Sequence, residues 1–142
     1  MKQLLARWGS IAFVIALTVP IASSRAQSPL DSKSPEWWHA FGKQLVASLD
    51  SPIAKIQEQA LSQIIFYAAH YPGKMDLDPA TPKILEVFKN DNKVARRTLA
   101  LMALHAIGDE QGMRRLNTLV RYETSPRVET LTRAVLADYY GG

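Results

Sequence analysis

The side chains that could do chemistry are few and scattered along the chain. His39, His70 and His105 are far apart, and His39 has a carboxylate at helical spacing on its own helix, Glu36 three residues before it. One such pair is half of a metal site, because a zinc-type ion takes three or four ligands. Each histidine therefore reads as an interfacial or capping residue. Asp76 and Asp78 alternate in a short loop, where two carboxylates could share a hard cation. The turn glycine and terminal glutamate of a calcium loop do not follow, so the pair reads as solvated loop. No glycine-rich phosphate loop occurs, and the serines stand before prolines rather than in a Gly-x-Ser-x-Gly turn. Cysteine is absent, which excludes thiolate zinc and iron–sulfur centres. No metal or cofactor is expected, no catalytic residue stands out, and no reaction is written in these residues.

Charge is the next functional signal. Arg96, Arg97, Arg114, Arg115, Arg121, Arg127 and Arg133 all fall in the last third. Residues 27–88 carry five bases and seven acids, and residues 89–142 carry nine bases and six acids. A basic face for an acidic partner or an anionic envelope polymer is one reading. The plainer one is a solvated face with ion pairs between successive helices, such as Arg97 or Arg127 with Asp91 or Glu123.

The N-terminus changes the overall balance. Lys2 and Arg7 precede an apolar run at residues 11–22, and Ser24-Arg25-Ala26 places small residues at the minus-three and minus-one positions before Gln27. This is the pattern of a secretory signal peptide over residues 1–26, implying a periplasmic or secreted, bacterial-type protein. An uncleaved anchor is the alternative, but twelve apolar residues fall short of the roughly 20 a helix needs to span a bilayer. The segment holds three bases and no acid, so the full-chain net charge of +4 falls to +1 after cleavage. A nucleic-acid-binding domain carries a clear basic excess, and that partner class is not expected.

These residues must be positioned by helices. Residues 27–33 are polar and read as a flexible leader. Four helices begin with a serine or threonine followed by proline: Ser34-Pro35, Ser51-Pro52, Thr81-Pro82 and Ser125-Pro126. Each pair reads as an N-cap with proline in the first turn. The first helix carries Trp37, Trp38, Phe41, Leu45, Val46 and Leu49 at helical spacing. The double tryptophan could be a partner-binding hot spot, and its spacing favours core or cap, with one ring near the edge of the stripe. The second places Ile53, Ile56, Ala60, Leu61, Ile64 and Ala68 on one face and ends at Pro72-Gly73. The third is short, with Ile84, Leu85 and Phe88. The fourth, apolar almost all round at residues 98–107, should be the most buried of all. Gly108 stops it, and Asp109 caps a fifth whose stripe is Met113, Leu116, Leu119 and Val120. The sixth carries Val128, Leu131, Val135, Leu136 and Tyr139. No segment alternates like a strand, so the fold class is all-α.

Residues 56–64 superpose on residues 128–136 at a separation of 72, two periods in the mid-thirties, with Arg97, Ala100 and Ala103-Leu104 in between. Asp91-Asn92-Lys93-Val94, Arg96-Arg97 and Ala103-Leu104-His105-Ala106-Ile107-Gly108-Asp109 resemble the acidic turn, Val-Arg, Ala-Leu and Ile-Gly-Asp hinge of HEAT repeats, particularly the shorter bacterial HEAT-like, PBS-lyase-type repeats. Ser125-Pro126-Arg127-Val128 resembles the start of a further copy. Asp50-Ser51-Pro52 with Ile56 is a weaker one, lacking the arginine and the hinge. The resemblance spans about residues 50–140. It implies a short right-handed α-solenoid of about six antiparallel helices across residues 34–142, used for protein–protein contact. In such proteins the second helix of each pair lines the concave surface. Carried onto this chain, and taking positions outside the apolar stripes, this points to Lys83, Glu86 and Lys89 on the third helix and Arg114, Thr118, Arg121 and Tyr122 on the fifth. The expectation is a monomeric, exported, non-enzymatic scaffold for a protein partner. The alternatives are a chromophore-attaching lyase, which would work inside the cell, and a structural accessory of an envelope assembly.

Overall fold

The computed structural model describes residues 28–142. The expected signal peptide, residues 1–26, lies outside the described residues. Two units are distinguished, Met1–Asp31 and Ser32–Gly142. Of the first, residues 28–31 form a turn in which the Asp31 N–H donates to the Ser28 carbonyl at 2.8 Å and Asp31 Oδ2 accepts from the Ser28 N–H at 2.9 Å.

The second unit is built from six α-helices, with no strand among the described residues. They are α1 (Pro35–Ser48), α2 (Ala54–His70), α3 (Thr81–Asn90), α4 (Val94–Ile107), α5 (Glu110–Leu119) and α6 (Pro126–Gly141). Short 3-10 turns at Asp78–Ala80 and Val120–Tyr122 precede α3 and follow α5.

Capping decides several boundaries. Ser34 Oγ accepts from the Trp37 N–H at 3.2 Å and Ser125 Oγ from the Val128 N–H at 3.4 Å, so these two Ser-Pro pairs start helices as expected. The other two pairs differ. Ser51 Oγ instead accepts from the Ile53 N–H at 3.2 Å, closing a bend that delays α2 until Ala54. Thr81 is already helical, because the 3-10 turn before it has begun the coil, and its side chain is drawn into the core. Gly108 ends α4 at φ +66°, where a Cβ would be strained, and Asp109 Oδ2 accepts from the Gly112 N–H at 2.9 Å to open α5.

One continuous core joins the helices. It includes Leu45 of α1, Leu61 and Ile64 of α2, Ile84 and Phe88 of α3, Leu101 and Leu104 of α4, Met113 and Leu116 of α5, and Val128 and Leu136 of α6. α4 is the central element, touching α2, α3, α5 and α6, whereas α1 packs on α2. On α2 the expected stripe holds only from Ala60 onward. Ile53 and Ile56 are 56% and 38% exposed, because the bend at Ser51 leaves the first turn outside the packed region. On α6 the buried set gains Thr132, whose hydroxyl donates to the Val128 carbonyl at 2.7 Å.

The tryptophans part company. Trp38 is 1% exposed, with its ring centroid 5.0 Å from that of Tyr71, while Trp37 is half-buried and stacks on Phe41 at 5.0 Å. Phe41 meets Tyr67 edge-on at 4.9 Å, so an aromatic layer fastens α1 to α2.

Candidate functional site

α3 and α5 pack against each other and carry the residues expected to face a partner. Burial of Ile84 and Phe88 on α3 turns Glu86 and Lys89 to solvent. Burial of Met113 and Leu116 on α5 does the same for Arg114 and Thr118, and Arg121, in the 3-10 turn after α5, is exposed as well. Tyr122, in the following 3-10 turn, is 78% exposed. Arg114 Nη1 lies 3.1 Å from Glu110 Oε1, an exposed pair one turn apart, and the Thr118 hydroxyl donates to the Arg114 carbonyl at 3.2 Å.

Lys83 is placed differently from the rest. It is half-buried and donates to Asp50 Oδ2, joining α3 to the end of α1. Lys83 and Glu86 share an open cleft of about 550 Å³ with Leu49, Asp50, Gln57, Val87, Asn90, Asp91 and Arg96. Lys89, Arg114, Thr118, Arg121 and Tyr122 are not part of that lining. The structure thus brings two of the seven into one cavity, and the other five stand on the exposed surfaces of α3, α5 and the turn after α5.

The wall of this cleft contains Arg96, one of the arginines of the basic set, and Gln57, which pattern reading missed. Arg96 Nη1 contacts Asp91 Oδ2 at 3.0 Å, Nη2 donates to Gln57 Oε1, and Nε lies 3.8 Å from Glu58. Gln57 Nε2 in turn donates to the Leu49 carbonyl at 2.8 Å. Nothing in the spacing of Gln57 along its own helix signals these partners. The Arg96-Arg97 pair was the only available hint.

Arg97 takes the opposite direction, toward the turn after α5. Its Nε donates to the Phe88 carbonyl at 2.7 Å, and its two terminal nitrogens donate to the two oxygens of Glu123. The Glu123 side chain is only 4% exposed and also accepts from the Thr124 and Ser125 N–H groups. Burial raises its pKa, but the Arg97 hydrogen bond, the Ser125 N–H, the Arg97 charge and the Thr124 N–H outweigh burial and hold it below the ordinary glutamate value. Of the ion pairs anticipated from sequence, Arg97 with Glu123 is the one formed among the described residues, from α4 to the turn before α6.

A second cleft, of about 430 Å³, opens between the N-terminal ends of α3 and α5 and is lined by Asp78, Thr81, Pro82, Leu85, Asp109, Gln111 and Arg115. The Asp78 carboxyl is pushed above its ordinary value by burial, then by the charges of Asp109 and Asp76. Among the described residues no three His, Cys, Asp or Glu side chains are grouped to hold a metal ion. Two of the three histidines make one contact each: His70 Nδ1 lies 2.7 Å from the Phe66 carbonyl, and His105 Nε2 lies 2.7 Å from Asp138 Oδ2, linking α4 to α6. No helix of the described residues is long and apolar enough to cross a membrane.

Comparison with protein-family models, with curated proteins and with solved structures gives no match.

Proposed function

We propose that this chain is an exported, non-enzymatic HEAT-like repeat protein whose α3–α5 surface binds another protein. The observation that carries this reading is a recurrence in burial. Ala60, Leu61 and Ile64 of α2 are buried, as are Ala100, Leu101 and Leu104 of α4 at the same relative positions, forty residues on. Thirty-two residues further, Thr132 and Leu136 of α6 are buried in the same places. The two steps sum to the separation of 72 read from the sequence. They differ because residues 71–80 connect α2 to α3, whereas Gly108 and Asp109 alone connect α4 to α5.

Under this reading α2, α4 and α6 form one layer of a short right-handed solenoid, α3 and α5 lie in the other, and α1 and α6 close the two ends. The serial contacts of α2 with α4 and of α4 with α6 support such a stack. Stacked repeats offer an extended surface rather than an enclosed pocket, which suits a protein partner. Export rests on Lys2, Arg7, the apolar residues 11–22 and Ser24-Arg25-Ala26.

The test is affinity capture from the exported fraction with the wild-type protein and with an Arg114→Glu/Arg121→Glu double variant. The expected outcome is one stoichiometric protein partner, retained by the wild type and released by the variant. A partner held equally by both proteins would place the interface elsewhere. Absence of any partner, together with turnover of a small molecule, would overturn the reading.

A further inference from the structure

Three helix junctions meet along one edge of the molecule. Gln57, in the first turn of α2, donates to the Leu49 carbonyl at the end of α1 at 2.8 Å and accepts from Arg96 in the first turn of α4. Arg97, next along α4, donates to the Phe88 carbonyl in the last turn of α3 at 2.7 Å and to Glu123 just before α6. The α1–α2, α3–α4 and α5–α6 junctions therefore lie side by side. Each presents a large apolar side chain to solvent: Ile53 and Ile56 at the first, Val94 at the second and Tyr122 at the third. None of these four lines either cleft described above. Each junction also presents bases, Lys55 at the first, Lys89 and Lys93 at the second, and Arg121 and Arg127 at the third, all exposed. None of the five bases is in an ion pair within 4.0 Å among the described residues. The carboxylates around them are already engaged: Asp50 with Lys83, Glu58 and Asp91 with Arg96, Glu123 with Arg97, and Glu129 with Arg133. Glu86 accepts from the Asn90 amide at 2.6 Å.

We infer that this edge rests on an anionic lipid bilayer surface, with the five bases over the headgroups and Ile53, Val94 and Tyr122 reaching into the interface. Peripheral binding of this kind combines burial of apolar side chains with attraction of bases to acidic headgroups, and tyrosine is favoured at that boundary. A peptide would be held by apolar residues gathered into a groove. Here they stand at three separate junctions with bases beside each, which suits a broad surface. The far edge has the opposite sign. Residues 71–80 and 108–110, which connect α2 to α3 and α4 to α5, hold four acids and one base. They lie a helix length away, roughly 20 Å. Among them Asp76 and Asp109 are near enough to Asp78 for their charges to add to the burial that raises its carboxyl pKa. An anionic surface attracts the first edge and repels the second, which sets the orientation of the bound protein. Lys89, Arg121 and Tyr122 belong to the α3–α5 surface as well, so a protein partner held there would lie beside the bilayer.

The experiment is co-flotation of the processed protein, recovered from the exported fraction, with vesicles of equal parts phosphatidylglycerol and phosphatidylcholine, and in parallel with pure phosphatidylcholine. Binding to the anionic vesicles is expected, weaker by at least about tenfold on the neutral ones and lost at high salt. The variant Lys55→Glu/Lys93→Glu/Arg127→Glu should bind the anionic vesicles at least about tenfold more weakly, since each base near such a surface contributes about fivefold. Ile53→Ser/Val94→Ser should weaken binding by at least about threefold, with thermal melting as the check that both variants stay folded. No vesicle binding, equal binding to the two vesicle types, or unchanged binding in either folded variant would each overturn the inference. Salt-sensitive capture of a polyglutamate peptide without vesicle binding would also overturn it, by giving the edge to an acidic protein. The five substituted residues are not among the seven assigned to the α3–α5 surface, and the vesicles contain no protein, so failure here is separable from failure of the capture experiment.

Discussion

Arg97 ties together three parts of the chain: its own helix α4, the Phe88 carbonyl at the end of α3, and Glu123 in the turn before α6. Its guanidinium also lies over the Phe88 ring, 5.4 Å from the centroid. Both charged side chains are largely removed from water, at 14% and 4% exposure, so their loss is not that of a surface ion pair. Replacing Arg97 by Met should strand the Glu123 carboxylate and lower stability by about 3–5 kcal/mol, measured from urea unfolding midpoints. The pH dependence has a definite sign. The folded-state pKa of Glu123 is lowered, so between the two values the unfolded chain binds more protons than the native one. Its stabilisation is full above the ordinary glutamate value and is lost as pH falls through the lower folded value. Thermal midpoints recorded down this range should fall more steeply for the wild type than for Glu123→Gln. Parallel curves would remove Glu123 from the acid response.

At the scale of elements, the same local signal had different outcomes according to its surroundings. Ser34 and Ser125 cap helices, while Ser51 closes a bend and Thr81 is pulled inward. The position of Thr81 follows from the approach of α5 to α3. A Cβ on Gly112 would stand 2.9 Å from Thr81 Cγ2, so these two helices touch where α5 lacks a side chain. In an isolated helix Gly→Ala gains about 1 kcal/mol. Here Gly112→Ala should instead destabilise, since the opposing methyl belongs to a stiff β-branched side chain. Thr81→Ser removes that methyl, and the double variant Gly112→Ala/Thr81→Ser should recover most of the loss. A double-mutant cycle in denaturant measures this coupling, and strict additivity would deny the contact.

For the whole molecule, α1 is joined to the rest mainly through α2, and its aromatic layer lies at one end of the stack under the proposed arrangement. Trp38 covers Tyr67 and Tyr71, so removing α1 would expose several large rings together. A chain lacking residues 35–50 should melt at a clearly lower temperature and bind a hydrophobic dye before unfolding. An unchanged melting temperature would show that α1 is an appendage. α4 is the counter-example: it meets four other helices, and its all-round apolar sequence already announced a buried position.

Helical class, six segments, the Gly108 stop, the Asp109 cap and the central place of α4 were all legible in the sequence. Each depends on local backbone chemistry or on a helix's own periodicity, and both are written in neighbouring residues. Long-range pairing was legible only where two opposite charges could be guessed as partners, as with Arg97 and Glu123. The late start of α2, the burial of Thr81 against Gly112, the Gln57–Arg96 contact and the half-buried place of Lys83 were decided by tertiary structure. Each arises where two helices meet, and the separation and rotation of that meeting are set by all the packed side chains together. Sequence spacing could name the residues on α3 and α5 that face outward. Only packing placed Asp78, Thr81 and Asp109 around one cleft.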